Sequence, residues 1–247
     1  MEVLINILCQ FNSNNRVSFL VAMFTVLMIP SFSSAQQATA PPDNQETSKH
    51  ILGIIPNNRT APSLKNYQPL TTGQKFKIAA DDAFDPGDFA LAALFAGDGQ
   101  LTDSNPSFRQ GVKGYAHYYV TSFADLAIGD FMTEAIFPAM LHQDPRFFRR
   151  GYGGGWSRLG YAMGQIFFTH DDSGKTDFNF SEIVGNSTAV AISQAYYPDN
   201  RNATNATVKL MVQIGTDMTG NVLKEFWPDI TRIFSRKGHR TQETSYP

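Results

Sequence analysis

From Thr71 onward, apolar positions recur every three or four residues and each run closes on glycine, proline or an asparagine-rich turn, the pattern of amphipathic helices. Thr71 or Thr72 caps a short first helix ending near Phe84. Asp85-Pro86-Gly87-Asp88 then reads as cap, first-turn proline and first-turn acid, opening a helix that Gly97 and Gly99 close. Asn105-Pro106 repeats the start signal, and the helix it opens runs to Gly129 and, with a bend, through Pro138 to His142. Arg109, Lys113, His117, Thr121 and Asp125 form one polar row along it. The spacing predicts further helices over 156–169, 181–196 and 204–226, followed by a short terminal turn in "WPDITRIFSRK" and a polar, disordered tail over 237–247. The expected fold is mainly α: a single bundle of about six helices over 51–236 with an extended N-terminal strap.

The segments before the bundle follow a different pattern. Arg16, the apolar run Ser18–Phe32 and the small residues Ser33 and Ala35 have the layout of a secretory signal peptide over 1–35, cut before Gln36. Residues 36–50 are polar and read as a flexible tether. The strap that follows, from Ile51 to Leu70, is apolar but broken by Pro56, Pro62 and Pro69, which deny it a helix; it is expected to pack and not to catalyse.

Composition narrows the functional classes. The net charge is −2, and removing residues 1–35 takes away one acid (Glu2) and one base (Arg16), so the balance stays far from the basic face of a nucleic-acid binder. Cys9 is the only cysteine and would leave with the signal peptide, which excludes disulfides, thiol catalysis and cysteine-held zinc from the exported chain. No segment after residue 35 reaches the ~20 apolar residues of a membrane span, so the exported chain is expected to be soluble or peripheral to the membrane. No cofactor is expected. The aromatic, glycine-rich text with "DDSGK" resembles an outer-membrane hairpin, which keeps a small β-barrel as an alternative, against it the lack of strict alternation and of an amphipathic last strand before Tyr246-Pro247.

The candidate chemistry centres on "LHQDPRFFRRGYGGGW", Leu141–Trp156. Pro145 stops the preceding helix and the glycines allow a reversal. Arg146, Arg149, Arg150 and Arg158 surround a glycine-rich loop leading into a helix, where backbone N–H groups can cradle an anion that guanidinium groups grip. Arg146, Arg149, Tyr152, Trp156 and Arg158 are expected to line one concave anion-binding surface, unless Asp144, Asp130, Glu134 and Asp229 already neutralise the arginines. His142 and Asp144 are weak candidates for a base and its orienter, since no serine elbow accompanies them. Asp130 and Glu134, four apart, lack the histidine of the carboxylate-bridged metal bundles and read as a solvated polar face. His50, His117, His170 and His239 are scattered, and "HDDSGKTD" lacks the closing glutamate of a calcium loop, so no metal site is expected and that stretch reads as a turn. Gly111 with Gly114, Gly160 with Gly164, Gly185 with Ala189 and Gly215 with Thr219 read as close helix packing.

With "GIIPNNR", "LHQDPRFFRRGYGG" and "EFWPDI", the chain resembles a group of uncharacterised exported bacterial proteins that share a GIIPN strap, an H-x-DPR-[YF]-[YF] turn and an EFWPD ending. The likeness covers most of Ile51–Ile230. It implies export and a single domain; it assigns no activity and no catalytic residue. The reading drawn from the sequence is a non-enzymatic helical module of the periplasm or cell envelope, outer-membrane association included, that binds anionic lipid or a protein partner. Its alternative is an envelope hydrolase built on His142, Asp144 and Arg146.

Overall fold

A computed structural model of the protein describes residues 50–51, 55–56, 59–61, 64 and 67–242. The expected signal peptide, its expected cleavage point and the expected tether up to residue 49 lie outside the described residues, as do 243–247. The fold is mainly α. Helices α1 (Thr72–Ala83), α2 (Pro86–Thr102), α3 (Gly111–Asp130), α4 (Phe137–Leu141), α5 (Gly155–Gly164), α6 (Phe180–Ser193) and α7 (Ala203–Gln242) account for most of it. A π-helical segment, Phe131–Ile136, joins α3 to α4 into one continuous rod. The strands among the described residues are short: β1 (His50–Ile51) with β2 (Ile55–Pro56), β3 (Thr60–Ala61) with β5 (Phe147–Phe148), and β4 (Gln143–Asp144) with β6 (Phe168–Asp171), itself paired with β7 (Thr176–Phe178). None of these is long enough for a barrel wall, and the β-barrel alternative falls with the helical fold.

Local chemistry explains most boundaries. Thr71 and Gln74 close a reciprocal capping box on α1, and the Asp85 carboxylate accepts the Gly87 N–H at 2.8 Å to start α2. Helix α2 passes Gly97 and Gly99, the expected stop, and ends at Thr102. At Gly99 the glycine serves contact with α3, because a Cβ there would lie 2.7 Å from the Tyr118 ring. Pro106 opens only a single 3₁₀ turn, Pro106–Phe108, and Arg109 at φ 65° stands outside α3, so the expected polar row loses its first member. Its last member, Asp125, accepts hydrogen bonds from Tyr196 and Tyr197, each 2.7 Å, and pairs with Lys209. Of the glycines read as packing points, Gly114 and Gly185 meet backbone closely, whereas Gly160, Gly164 and Gly215 have no neighbour within 4 Å of an added Cβ.

Two helices differ in length from the sequence reading. Helix α5 stops at Gly164, because Phe168–Asp171 leaves it to pair as β6 with β4 and β7; the hairpin turns on Gly174 at φ 81°. Helix α7 continues through Pro228 to Gln242 without a break at "WPDI" and beyond the expected start of the polar tail. In the strap, β1 and β2 pair antiparallel and β3 runs parallel to β5, which lays Thr60 and Ala61 against Phe147 and Phe148.

The polarity of the bundle is unusual. The buried stripe of α2 is Asp88, Ala92, Ala96 and Gly99; that of α6 is Ser181, Glu182, Gly185, Asn186, Ala189, Val190 and Ser193. Helix α7 buries Asn221, Lys224 and Glu225 beside Leu223. Large apolar side chains stand outside instead, with Leu94 at 63 %, Leu101 at 80 %, Val120 at 64 % and Met211 at 61 % exposure. Globular interiors rarely bury lysine, glutamate or aspartate. An apolar cluster does exist at one end, where Phe108 and Tyr118 meet edge to face at 5.1 Å beside Ala96.

Candidate functional site: the clamped turn and the buried charges

The glycine-rich turn does hold an anion, and that anion belongs to the chain. Glu225, fully buried on α7, accepts the Arg150 N–H at 2.9 Å, the Gly151 N–H at 2.8 Å and Arg158 Nε at 2.7 Å. Arg158 also gives Nη2 to the Glu225 carbonyl (2.8 Å) and Nη1 to Asp229 Oδ2 (2.6 Å), with its guanidinium 4.6 Å from the centre of the Phe226 ring. Two amides of the turn expected to cradle a ligand, those of Arg150 and Gly151, are therefore occupied.

Arg146 is held in a second clamp. Asp144, buried at the end of β4, accepts its N–H (2.9 Å), Nε (3.0 Å) and Nη2 (2.6 Å), while Tyr67 donates its hydroxyl to Asp144 Oδ2 at 2.8 Å. Arg146 Nη2 also reaches the Gln68 carbonyl at 2.7 Å, and the guanidinium lies over Tyr67 and Phe148 at 5.5 and 5.3 Å. Burial alone would lower the Arg146 pKa; the bond to Asp144 outweighs it and raises it.

The expected concave surface is thus divided. Arg146 faces a narrow cleft with about 30 Å³ of free volume, lined with Arg59, Gln165, Thr169, Asn179 and Asn221 among others, a space for one or two waters. Arg149, Tyr152, Trp156 and Arg158 do not line it. Arg149 is half-buried, and its pKa is pushed below the ordinary value by burial and by the neighbouring Arg158 and Arg232, against the pull of Glu225 and Asp229. Arg150 lies over Tyr152 and Tyr161 and donates to Ser157 at 3.1 Å. Tyr152 and Trp156 are exposed, Trp156 by 74 %.

His142 and Asp144 are not brought together. The His142 side chain is 82 % exposed on a left-handed residue, φ 54°, with Nδ1 3.6 Å from Asp172, whereas the Asp144 carboxylate is sealed by Tyr67 and Arg146. A base and orienter need a direct hydrogen bond. Asp172 is itself engaged by Lys75 at 2.8 Å, which also donates to the Pro138 carbonyl.

Asp130 and Glu134 do not form a solvated face. The π-helical segment turns Glu134 into the bundle, where it binds Arg59 of the strap at 2.7 Å. The strap, expected only to pack, contributes a charge to the interior. Burial pushes Glu134 up to about 8 against the pull of Arg59, and Asp88 up to about 6 against a hydrogen bond from Asp130. Asp130 itself is raised well above a carboxylate's usual value by burial, then by Glu134 and Asp88. Glu182 rises for the same first reason, then through Asp217; Asn186 Nδ2 bridges these two at 3.0 and 3.2 Å. Lys224 is lowered to about 8 by burial and then by Arg59. Asp130 Oδ2, Glu134 Oε2 and Gln213 Oε1 are buried with no hydrogen-bond partner among the described residues. Among those residues no group of histidine, cysteine, aspartate or glutamate is arranged to hold a metal.

The sequence reading missed Glu225 and Arg59, although both stand in the stretches "EFWPDI" and "GIIPNNR" that carry the resemblance. The structure joins all three stretches: the Phe147 N–H of the turn donates to the Arg59 carbonyl at 2.9 Å, and Glu225 and Asp229 grip the turn from α7. Compared with protein-family models, curated proteins and solved structures, the chain matches none.

Proposed function

We propose that this is an exported, non-enzymatic module of the cell envelope that docks on a membrane carrying anionic head groups. One observation carries the reading: among the described residues, half-buried Arg149 lies near Arg158 and Arg232 as well as Glu225 and Asp229, and Arg150 beside it donates to Ser157, next to exposed Tyr152 and Trp156. Arg146 and Arg158 are neutralised within the chain, so the docking cations are Arg149 and Arg150. Burial and repulsion already disfavour the charge on Arg149, and a phosphate beside it would relieve both. Aromatic side chains with a polar edge suit the head-group layer.

The test is flotation of the full-length chain with vesicles of phosphatidylcholine alone or mixed with phosphatidylglycerol. The anionic vesicles should bind more tightly and lose the advantage in high salt. The double variant Arg149→Ala, Arg150→Ala should weaken anionic binding by about thirtyfold, from roughly 1 kcal/mol per surface cation. Unchanged binding in that variant would sink the head-group reading.

A further inference from the structure

We infer that the outer face of α2, α3–α4, α6 and α7 lies among phospholipid acyl chains, with the charged ends of the bundle at the two head-group levels. This rests on the membrane reading above and adds its depth and its face. The first argument is where the charges lie. Between His117 and His142 the charged residues are Asp125, Asp130 and Glu134; between Asp177 and Asp199 there is Glu182 alone; between Lys209 and Lys224, Asp217 alone. All five have partners within the bundle: Asp125 with Tyr196, Tyr197 and Lys209, Asp130 with Asp88, Glu134 with Arg59, and Glu182 and Asp217 with Asn186. Inward-facing, paired ionisable groups are what hydrocarbon demands of a helix. The 24 residues 118–141 rise ~36 Å, close to the ~30 Å hydrocarbon core of a bilayer.

Charges return at the ends. Ser107 donates to Asp199 and Asn200 to the Ser104 carbonyl, which brings Asp103, Arg109 and Arg201 to one end; the β6–β7 hairpin with Asp171, Lys175 and Asp177 stands at the other. The second argument is independent of charge. Ser187 and Thr188 on α6 and Thr207 and Thr219 on α7 each donate to the carbonyl four residues back, at 2.7–2.8 Å. Such bonds, which Thr121 and Thr216 make as well, leave these hydroxyls satisfied without water, as hydrocarbon requires. No helix of the described residues is long and apolar enough to cross a membrane. Each helix averages an apolar outward face with a polar inward one, and the mean falls accordingly.

The experiment places a nitroxide at Leu94→Cys, Val120→Cys or Ile192→Cys in the full-length chain carrying Cys9→Ser, reconstituted with phosphatidylcholine vesicles. Labels at all three sites should collide with oxygen and be shielded from a soluble nickel chelate, while a label at Lys175→Cys should show the reverse. The triple variant Leu94→Glu, Val120→Glu, Ile192→Glu, with helical circular dichroism retained, should lose at least tenfold in flotation with the same vesicles. If the chain floats with anionic vesicles but the three labels meet nickel freely, the acyl-chain face is wrong and head-group docking survives. If it floats with neither vesicle, both readings fall. Labels shielded without any vesicle, in a chain that sediments as a dimer, would assign the face to a second copy and overturn the lipid occupant.

Discussion

The turn at Asp144–Arg158 and the centre of the helical bundle are both charged and both buried, yet they resolve the burial differently. In the turn, Asp144 and Glu225 each accept several short hydrogen bonds from an arginine and from backbone N–H groups. In the bundle, Asp82, Glu134, Glu182 and Asp217 lie around Arg59, burial raises Asp88 and Asp130 beside them, and among the described residues Asp130 Oδ2 and Glu134 Oε2 have no donor. Geometry neutralises the first region, whereas in the second burial raises Asp88, Asp130, Glu134 and Glu182 toward their protonated forms. The turn should therefore answer to mutation, and the bundle to pH.

The largest expected effect breaks the turn. Glu225→Ala leaves Arg158 Nε and the amides of Arg150 and Gly151 without their acceptor, and should cost about 3–5 kcal/mol in chemical unfolding. Glu225→Gln, which keeps an acceptor oxygen, should cost less. If both variants unfold at the wild-type midpoint, the clamp is not structural.

Next is the pH dependence of the bundle. Asp88 and Glu134 have pKa values raised by burial to about 6 and about 8, so the folded chain holds more protons than the unfolded chain between about pH 4 and 8. Stability is then greatest below this window and falls as pH rises through it. Lys224, lowered to about 8, contributes the opposite slope only above that value. Thermal unfolding should give a higher midpoint at pH 5 than at pH 8. Asp88→Asn should flatten this difference and stabilise the chain at pH 8 by about 1 kcal/mol or more. A midpoint that rises from pH 5 to 8 in the wild type would contradict proton storage.

A third effect tests the packing inside the bundle. Gly185→Ala brings a Cβ to 2.9 Å from Thr133 Cγ2 and 3.1 Å from the Met132 backbone, forcing α6 from the π-helical segment at a cost of about 1–3 kcal/mol. The smallest is His142→Ala: an exposed side chain beside Asp172 should change stability by less than about 0.5 kcal/mol. A loss of several kcal/mol there would mean that His142 is part of the clamp.

These regions were unequally legible in the sequence. Caps at Thr71 and Asp85 and the stop before Pro145 rest on contacts a few residues apart, so local text shows them. Periodicity also located the helices, but it marks two faces of a helix without saying which is inside. Asp130 and Glu134 were therefore taken for a wet surface, when α3 and its π-helical continuation turn them inward. The glycine turn was read as a surface for an external anion, whereas the amide of Gly151 binds Glu225, 74 residues away, and no local pattern specifies that pairing. Nor could spacing show that strap residue Arg59 reaches the bundle interior.

Helix α7 carries a consequence for how the chain reaches this state. Its 40 residues extend ~60 Å and meet Asp125 through Lys209, Asn186 through Asp217 and the turn through Glu225 and Asp229. These sites lie at three levels of one rod, so a slip of a single helical turn would mismatch all of them together. The loops closed at Glu225 and Asp229 span 67 and 71 residues, which makes this a late, entropically slow step. Until α7 docks, the acids of the other helices have neither Lys209 nor Lys224, and the turn has no anion. A chain that emerges amino end first, as it does in synthesis, would thus stay unlocked until this helix is complete.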